Sequence, residues 1–120
     1  MLVTDDVELG VGGVDFAYTD LWVSMGESIQ ERATRVPLLP YRVTEQVMQA
    51  TGQPGSKFMH CLPSVHNAST DLGRRIRDQF QLDGAEVTDN VFESAASIVF
   101  NQAENHLHTI KAVMTRAFGA

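Results

Sequence analysis

Short apolar runs alternate with helix-patterned segments along these 120 residues. That alternation constrains the fold more than any other feature, because strands separated by helices pair in parallel through crossover connections. Val14 to Tyr18, Ser56 to His60 and Ala85 to Thr88 read as short strands, and Leu2-Val3 as the tail of another. A first helix is expected after the capping side chains of Thr4-Asp5-Asp6, ended by Gly12-Gly13. Further helices are expected from Ser28 toward Pro37, from Val43 to Ala50 before Gly52, and from Asp71 to Phe80. Thr88 can cap a turn through Phe92. The clearest helix runs from Asn101 to Phe118, where Ala103, Leu107, Ile110, Val113, Met114 and Ala117 recur every three or four residues. They form one broad apolar stripe. The expected architecture is α/β: an incomplete parallel sheet flanked by helices, opening in the middle of a unit, with a long C-terminal helix.

The charge balance narrows the function classes. A net charge of -6 with no Lys/Arg cluster argues against a nucleic-acid partner. One cysteine excludes an internal disulfide framework and suits a reducing cytoplasm. No apolar stretch approaches the roughly 20 residues of a membrane span. No basic-then-apolar leader is visible, so nothing points to secretion.

The lone cysteine sits in Phe58-Met59-His60-Cys61-Leu62-Pro63. Pro63 cannot continue a strand ladder, which places Cys61 and Leu62 where a strand ends and a loop begins. In an open parallel sheet that end is where ligands bind. The alternative is that Cys61 is a small buried hydrophobe. His60 and Cys61 point to opposite faces, which disfavours a protease-type Cys/His pair. The other loop at this sheet edge follows Tyr18 and carries Asp20, Trp22, Ser24, Met25 and Gly26. Asp20 and Cys61 are the natural pair to converge: a carboxylate holds an ammonium group, and a neighbouring thiol helps orient it. Ser24 and the backbone at Met25-Gly26 could bind a carboxylate or a second amine, which together suits an amino acid with a basic side chain. Asp20 could equally be a capped turn, and Trp22 is expected to pack beneath its loop. His106 and His108 diverge by about 200° on a helix, and His60, Cys61 and His66 lack zinc spacing. No metal or cofactor is expected. Glu104 and Lys111 read as solvated helix charges.

Thr19-Asp20-Leu21-Trp22-Val23-Ser24-Met25-Gly26-Glu27 resembles the ornithine-binding loop of ornithine carbamoyltransferases, and Phe58 to Pro63 resembles that family's cysteine motif. Glu86-Val87-Thr88-Asp89, Val91-Phe92-Glu93-Ser94, Ser97-Ile98-Val99-Phe100, Gln102-Ala103-Glu104-Asn105 and His108 to Met114 follow in the family's order. The resemblance spans essentially the whole chain and implies the Rossmann-like second domain of a transcarbamylase, the carboxyl-terminal ornithine-binding one. It implies transfer of a carbamoyl group from carbamoyl phosphate to the side-chain amine of ornithine, giving citrulline and phosphate in arginine metabolism, within a cytoplasmic homo-oligomer. Carried over by position, Asp20, Ser24 and the Met25 backbone hold the amino-acid end of ornithine. Cys61 lies beside the attacking amine and, with Asp20, favours its deprotonated form. Leu62 offers its carbonyl to the carbamoyl nitrogen.

Two departures accompany the match. The family's Ser-Thr-Arg-Thr phosphate loop, its His-Pro-x-Gln segment and an asparagine that grips the ornithine carboxylate are missing from these residues. Residues 1–120 therefore read as a partial ornithine-binding domain without the carbamoyl phosphate-binding amino-terminal domain. Where the family reads Ala-Glu-Asn-Arg, this chain reads Ala103-Glu104-Asn105-His106, which puts His106 in place of an arginine that contacts carbamoyl phosphate; Asn101 replaces a common acidic residue. An isolated working enzyme is not expected. The partners implied are ornithine, carbamoyl phosphate, and the missing domain or a homologous chain. The rival readings are a non-catalytic remnant or binding module, and a related transcarbamylase acting on another amine such as putrescine.

Overall fold

The structure, a computed structural model, describes residues 2–22 and 36–119. Helix α1 (Val7–Val11) starts where the Asp6 carboxylate accepts the Leu9 N–H at 3.0 Å. Strand β1 (Phe16–Thr19) follows. Beyond the undescribed stretch come a 3-10 helix (Val36–Tyr41) and helix α2 (Glu45–Ala50). Strand β2 (Lys57–His60) then pairs in parallel with β1, Phe16 opposite Lys57 and Thr19 opposite His60. Helices α3 (Asp71–Phe80), α4 (Asp89–Phe92) and α5 (Val99–Phe118) complete the order. This is the expected α/β arrangement, with a parallel sheet, flanking helices and a long final helix.

The other edge of β2 is met by residues 96–98. Phe58 N–H donates to Ala96 at 2.9 Å and Ile98 N–H donates to the Phe58 carbonyl at 3.0 Å, so α5 springs directly from beside β2. Phe58 is fully buried here, in a core with Val43, Val87, Val91, Phe92 and Val99, against which Leu62 also packs. A second core of Val65, Ile76 and Ala85 carries Leu21, Trp22 and Leu72 at its margin. The two loops that leave the strand ends are thus anchored by their own apolar residues, and Trp22 packs as expected.

Several boundaries differ from the sequence reading. Residues 2–3 form no strand: Leu2 and Val3 are exposed and have no ladder partner among the described residues. β1 starts two residues later than its apolar run and ends one later, and Thr44 caps α2, so Val43 stays outside the helix and extended. Ala85 to Thr88 is not a strand but one parallel bridge, Val43 to Val87. The partner segment explains this: Pro37 and Pro40 sit in a 3-10 helix before Val43 and α2 begins just after it, leaving too little extended backbone for a ladder. Gly84 turns the chain into this bridge at φ +84°, and a Cβ there would lie 2.5 Å from the His66 carbonyl oxygen. The expected helix from Ser28 lies outside the described residues. α5 begins at Val99, two residues earlier than its stripe suggested.

Candidate functional site

Because Thr19 and His60 are register partners at the carboxyl ends of β1 and β2, the next residue on each strand emerges at the same edge. Those residues are Asp20 and Cys61, and the Cys61 thiol donates to Asp20 Oδ1 at 2.7 Å. The Leu21 N–H donates to the same oxygen at 2.6 Å. These two donors, the thiol first, hold the exposed Asp20 carboxyl below the ordinary aspartate range. Burial, then the bond to Asp20, pushes the Cys61 thiol up. The pair is therefore a carboxylate beside a protonated thiol at neutral pH, and Cys61 is not a thiolate nucleophile.

Behind this pair the chain makes a tight turn. Leu62 has φ 44°, in the left-handed region, and the Leu62–Pro63 peptide is cis. The Leu62 N–H donates to His60 Nδ1 at 2.9 Å. His60 Nε2 lies 3.1 Å from Glu86 Oε1, and both side chains are fully buried. Ser64 Oγ at 2.8 Å and the Val65 N–H at 2.9 Å donate to that same Glu86 oxygen. Burial pushes the Glu86 carboxyl up, but the donors from His60, Val65 and Ser64 outweigh it and leave it below the ordinary glutamate range. Glu86 Oε2 has no hydrogen-bond partner among the described residues.

The first turn of α5 closes the far side: Gln102 Oε1 accepts the His60 N–H at 3.1 Å. His106 is exposed and stands four residues on from Gln102, so it shares the helix face that abuts the end of β2. Ser24 and Met25 lie outside the described residues. Sequence reasoning missed Glu86, Gln102 and a further group, His66, Asp89 and Glu93, whose ligating atoms lie within 4.8 Å of one another. His66 Nδ1 at 2.7 Å and Asn67 Nδ2 at 2.7 Å both use Asp89 Oδ1. His66 also stacks on Phe92 at 3.8 Å between ring centroids, so this group braces the loop onto α4. The signal for Glu86 was present: a carboxylate in the apolar run Ala85–Val87 must find partners if that run is buried. Among the described residues, no helix is long and apolar enough to cross a membrane.

Comparison with known proteins gives this geometry a family. Residues 1–117 match the family model for the aspartate/ornithine carbamoyltransferase Asp/Orn-binding domain. Ornithine carbamoyltransferase from Pyrococcus furiosus is similar over 92% of this chain and 29% of its own, at 35% identity and a TM-score of 0.69. Ornithine transcarbamoylase from Giardia lamblia is 31% identical over 92% of this chain and 28% of its own, with a TM-score of 0.66. The Thermus thermophilus ornithine carbamoyltransferase is 28% identical over 92% of this chain and 30% of its own, with a TM-score of 0.63. The chain thus spans less than a third of the length of these solved relatives. With residues 1–117 matched and the relatives covering most of the chain, this chain belongs to the aspartate/ornithine carbamoyltransferase family, in the region of the Asp/Orn-binding domain.

Proposed function

We propose that these residues form the amine-acceptor side of a carbamoyl transfer site, with ornithine as the acceptor and citrulline as the product. The observation that carries this reading is the 2.7 Å contact of Cys61 with Asp20 at the shared end of two parallel strands. A carboxylate with a depressed pKa stays charged at neutral pH and anchors the α-ammonium at the amino-acid end of ornithine; for the same reason it is a poor proton acceptor. The side-chain amine gives its proton to solvent water and attacks the carbamoyl carbon, and phosphate leaves as the new C–N bond forms. The Cys61 thiol orients the Asp20 oxygen and borders the amine. Ser24 and the Met25 backbone hold the amino-acid end. The Leu62 carbonyl receives the carbamoyl NH2, and His106 stands toward the phosphate in place of the family's arginine. The other phosphate-binding groups come from residues outside these 120, supplied by an amino-terminal domain or another chain of a homo-oligomer. The setting is the reducing cytoplasm that a single free thiol suits.

By itself the 120-residue chain is then expected to bind ornithine weakly and make no citrulline, since transfer needs both substrates positioned and the phosphate neutralised. The test is a chimera in which this chain replaces the matching segment of the Pyrococcus furiosus enzyme. Citrulline formation with ornithine, lost on Asp20→Asn, supports the reading. Turnover with putrescine or aspartate but not ornithine overturns the acceptor. Citrulline made by the isolated chain overturns the division of labour.

A further inference from the structure

We propose that His60 and Glu86 are positioning residues, a buried clamp that fixes the Cys61–Leu62 turn through the hydrogen bond from the Leu62 N–H to His60 Nδ1. A backbone N–H can only donate, so Nδ1 is unprotonated and the proton sits on Nε2, facing Glu86 Oε1. The three donors gathered on that one oxygen come from His60, Ser64 and Val65, which flank the turn on both sides. Glu86 therefore closes the loop like a pin, leaving Cys61 on the outer face against Asp20.

Packing alone does not account for the pair. A buried hydrogen-bonded pair among apolar residues is replaceable, for stability, by apolar side chains of similar shape. What apolar side chains could not supply is an acceptor for the Leu62 N–H, whose residue is held at φ 44°. A branched-chain residue stays in that region only where its surroundings over-determine it. The clamp acts at one remove, through the turn, and touches neither reacting group. Its use in catalysis rests on the function proposed above; its geometry does not.

The experiment uses the whole 120-residue chain and its only cysteine. Nitrogen-15 NMR of the imidazoles is expected to show His60 as the neutral Nε2–H form. An imidazolium or an Nδ1–H form overturns the proposal without any variant. The pH midpoint of Cys61 alkylation by iodoacetamide then reports on the turn. His60→Asn keeps an acceptor near the Nδ1 position and is expected to leave that midpoint in place. His60→Gln keeps a donor near Nε2 but loses the acceptor, and Glu86→Met keeps chain length but loses the pin. Both are expected to move the midpoint toward that of a free thiol, raising alkylation at neutral pH by about tenfold for each unit moved. Equal behaviour of the Asn and Gln variants overturns the role of the Leu62 contact, and an unmoved Glu86→Met removes Glu86 from it. A chimera that makes no citrulline while His60 keeps the Nε2–H form refutes the proposed function and leaves the clamp standing.

Discussion

Asp20 and Cys61 take their chemical character from each other. The thiol proton on Asp20 Oδ1 lowers the carboxyl, and the same bond, added to burial, raises the thiol. Replacing Asp20 by Asn removes the anionic acceptor while keeping its shape. Cys61 is then expected to ionise at lower pH, with iodoacetamide alkylation at neutral pH roughly three- to tenfold faster. In the chimera, Cys61→Ala is expected to raise the KM for ornithine with little change in that for carbamoyl phosphate. Equal losses for both would mean that the loop itself had collapsed. At this scale the sequence pointed to the convergence of Cys61 with Asp20, because Pro63 fixes where the strand must stop. It did not mark Glu86 as their support, since His60 and Glu86 are 26 positions apart and meet only through the tertiary fold.

Among the elements, helix starts follow local chemistry closely. Thr44, Thr70 and Thr88 each accept an N–H three residues on and set the first turn of α2, α3 and α4. Thr70→Ala is expected to cost about 1 kcal/mol, read as a shift in the urea midpoint. Gly84 is less forgiving. Gly84→Ala meets a positive φ and the His66 carbonyl together, and a loss of about 2–4 kcal/mol is expected in the same measurement. Strands were harder to bound than helices. Ala85–Thr88 has strand composition, yet pairing depends on how much extended backbone the partner offers, and Val43 offers one residue. Composition carries no information about that partner.

Over the whole molecule, the last helix and the first strand both leave apolar surface open among the described residues. Leu107, Ile110, Val113 and Met114 on α5 are 52–63% exposed, and Phe16 and Tyr18 on β1 are 58% and 56% exposed. Such area rarely stays uncovered in monomers, and β1 has a free edge among the described residues. The purified chain is expected to associate above micromolar concentration, and multi-angle light scattering decides; a stable monomer that binds no apolar dye would refute this. Glu86 is expected to contribute to acid sensitivity because it is the buried one of the lowered carboxyls. Its folded pKa lies below the ordinary glutamate range, so its contribution is complete above that range and is lost as pH falls through the lower folded value. Urea unfolding across this window is expected to weaken toward acid, and Glu86→Met to flatten the slope. An unchanged slope in that variant would assign the acid loss to other carboxylates.

The sequence by itself determined the α/β class, the helix of Asp71 to Phe80, the apolar stripe of the last helix and the convergence of Asp20 with Cys61. Each of these follows from local periodicity, capping chemistry or the rule that ligands meet the carboxyl ends of parallel strands. Tertiary structure alone decided that Glu86 accepts from His60, Ser64 and Val65, that Gln102 holds the His60 N–H, and that His66 braces against Asp89. It also decided which strand-like run found a partner. Hydrogen bonds between residues far apart in sequence leave no periodic trace. They are set by register and by where buried polar groups find partners.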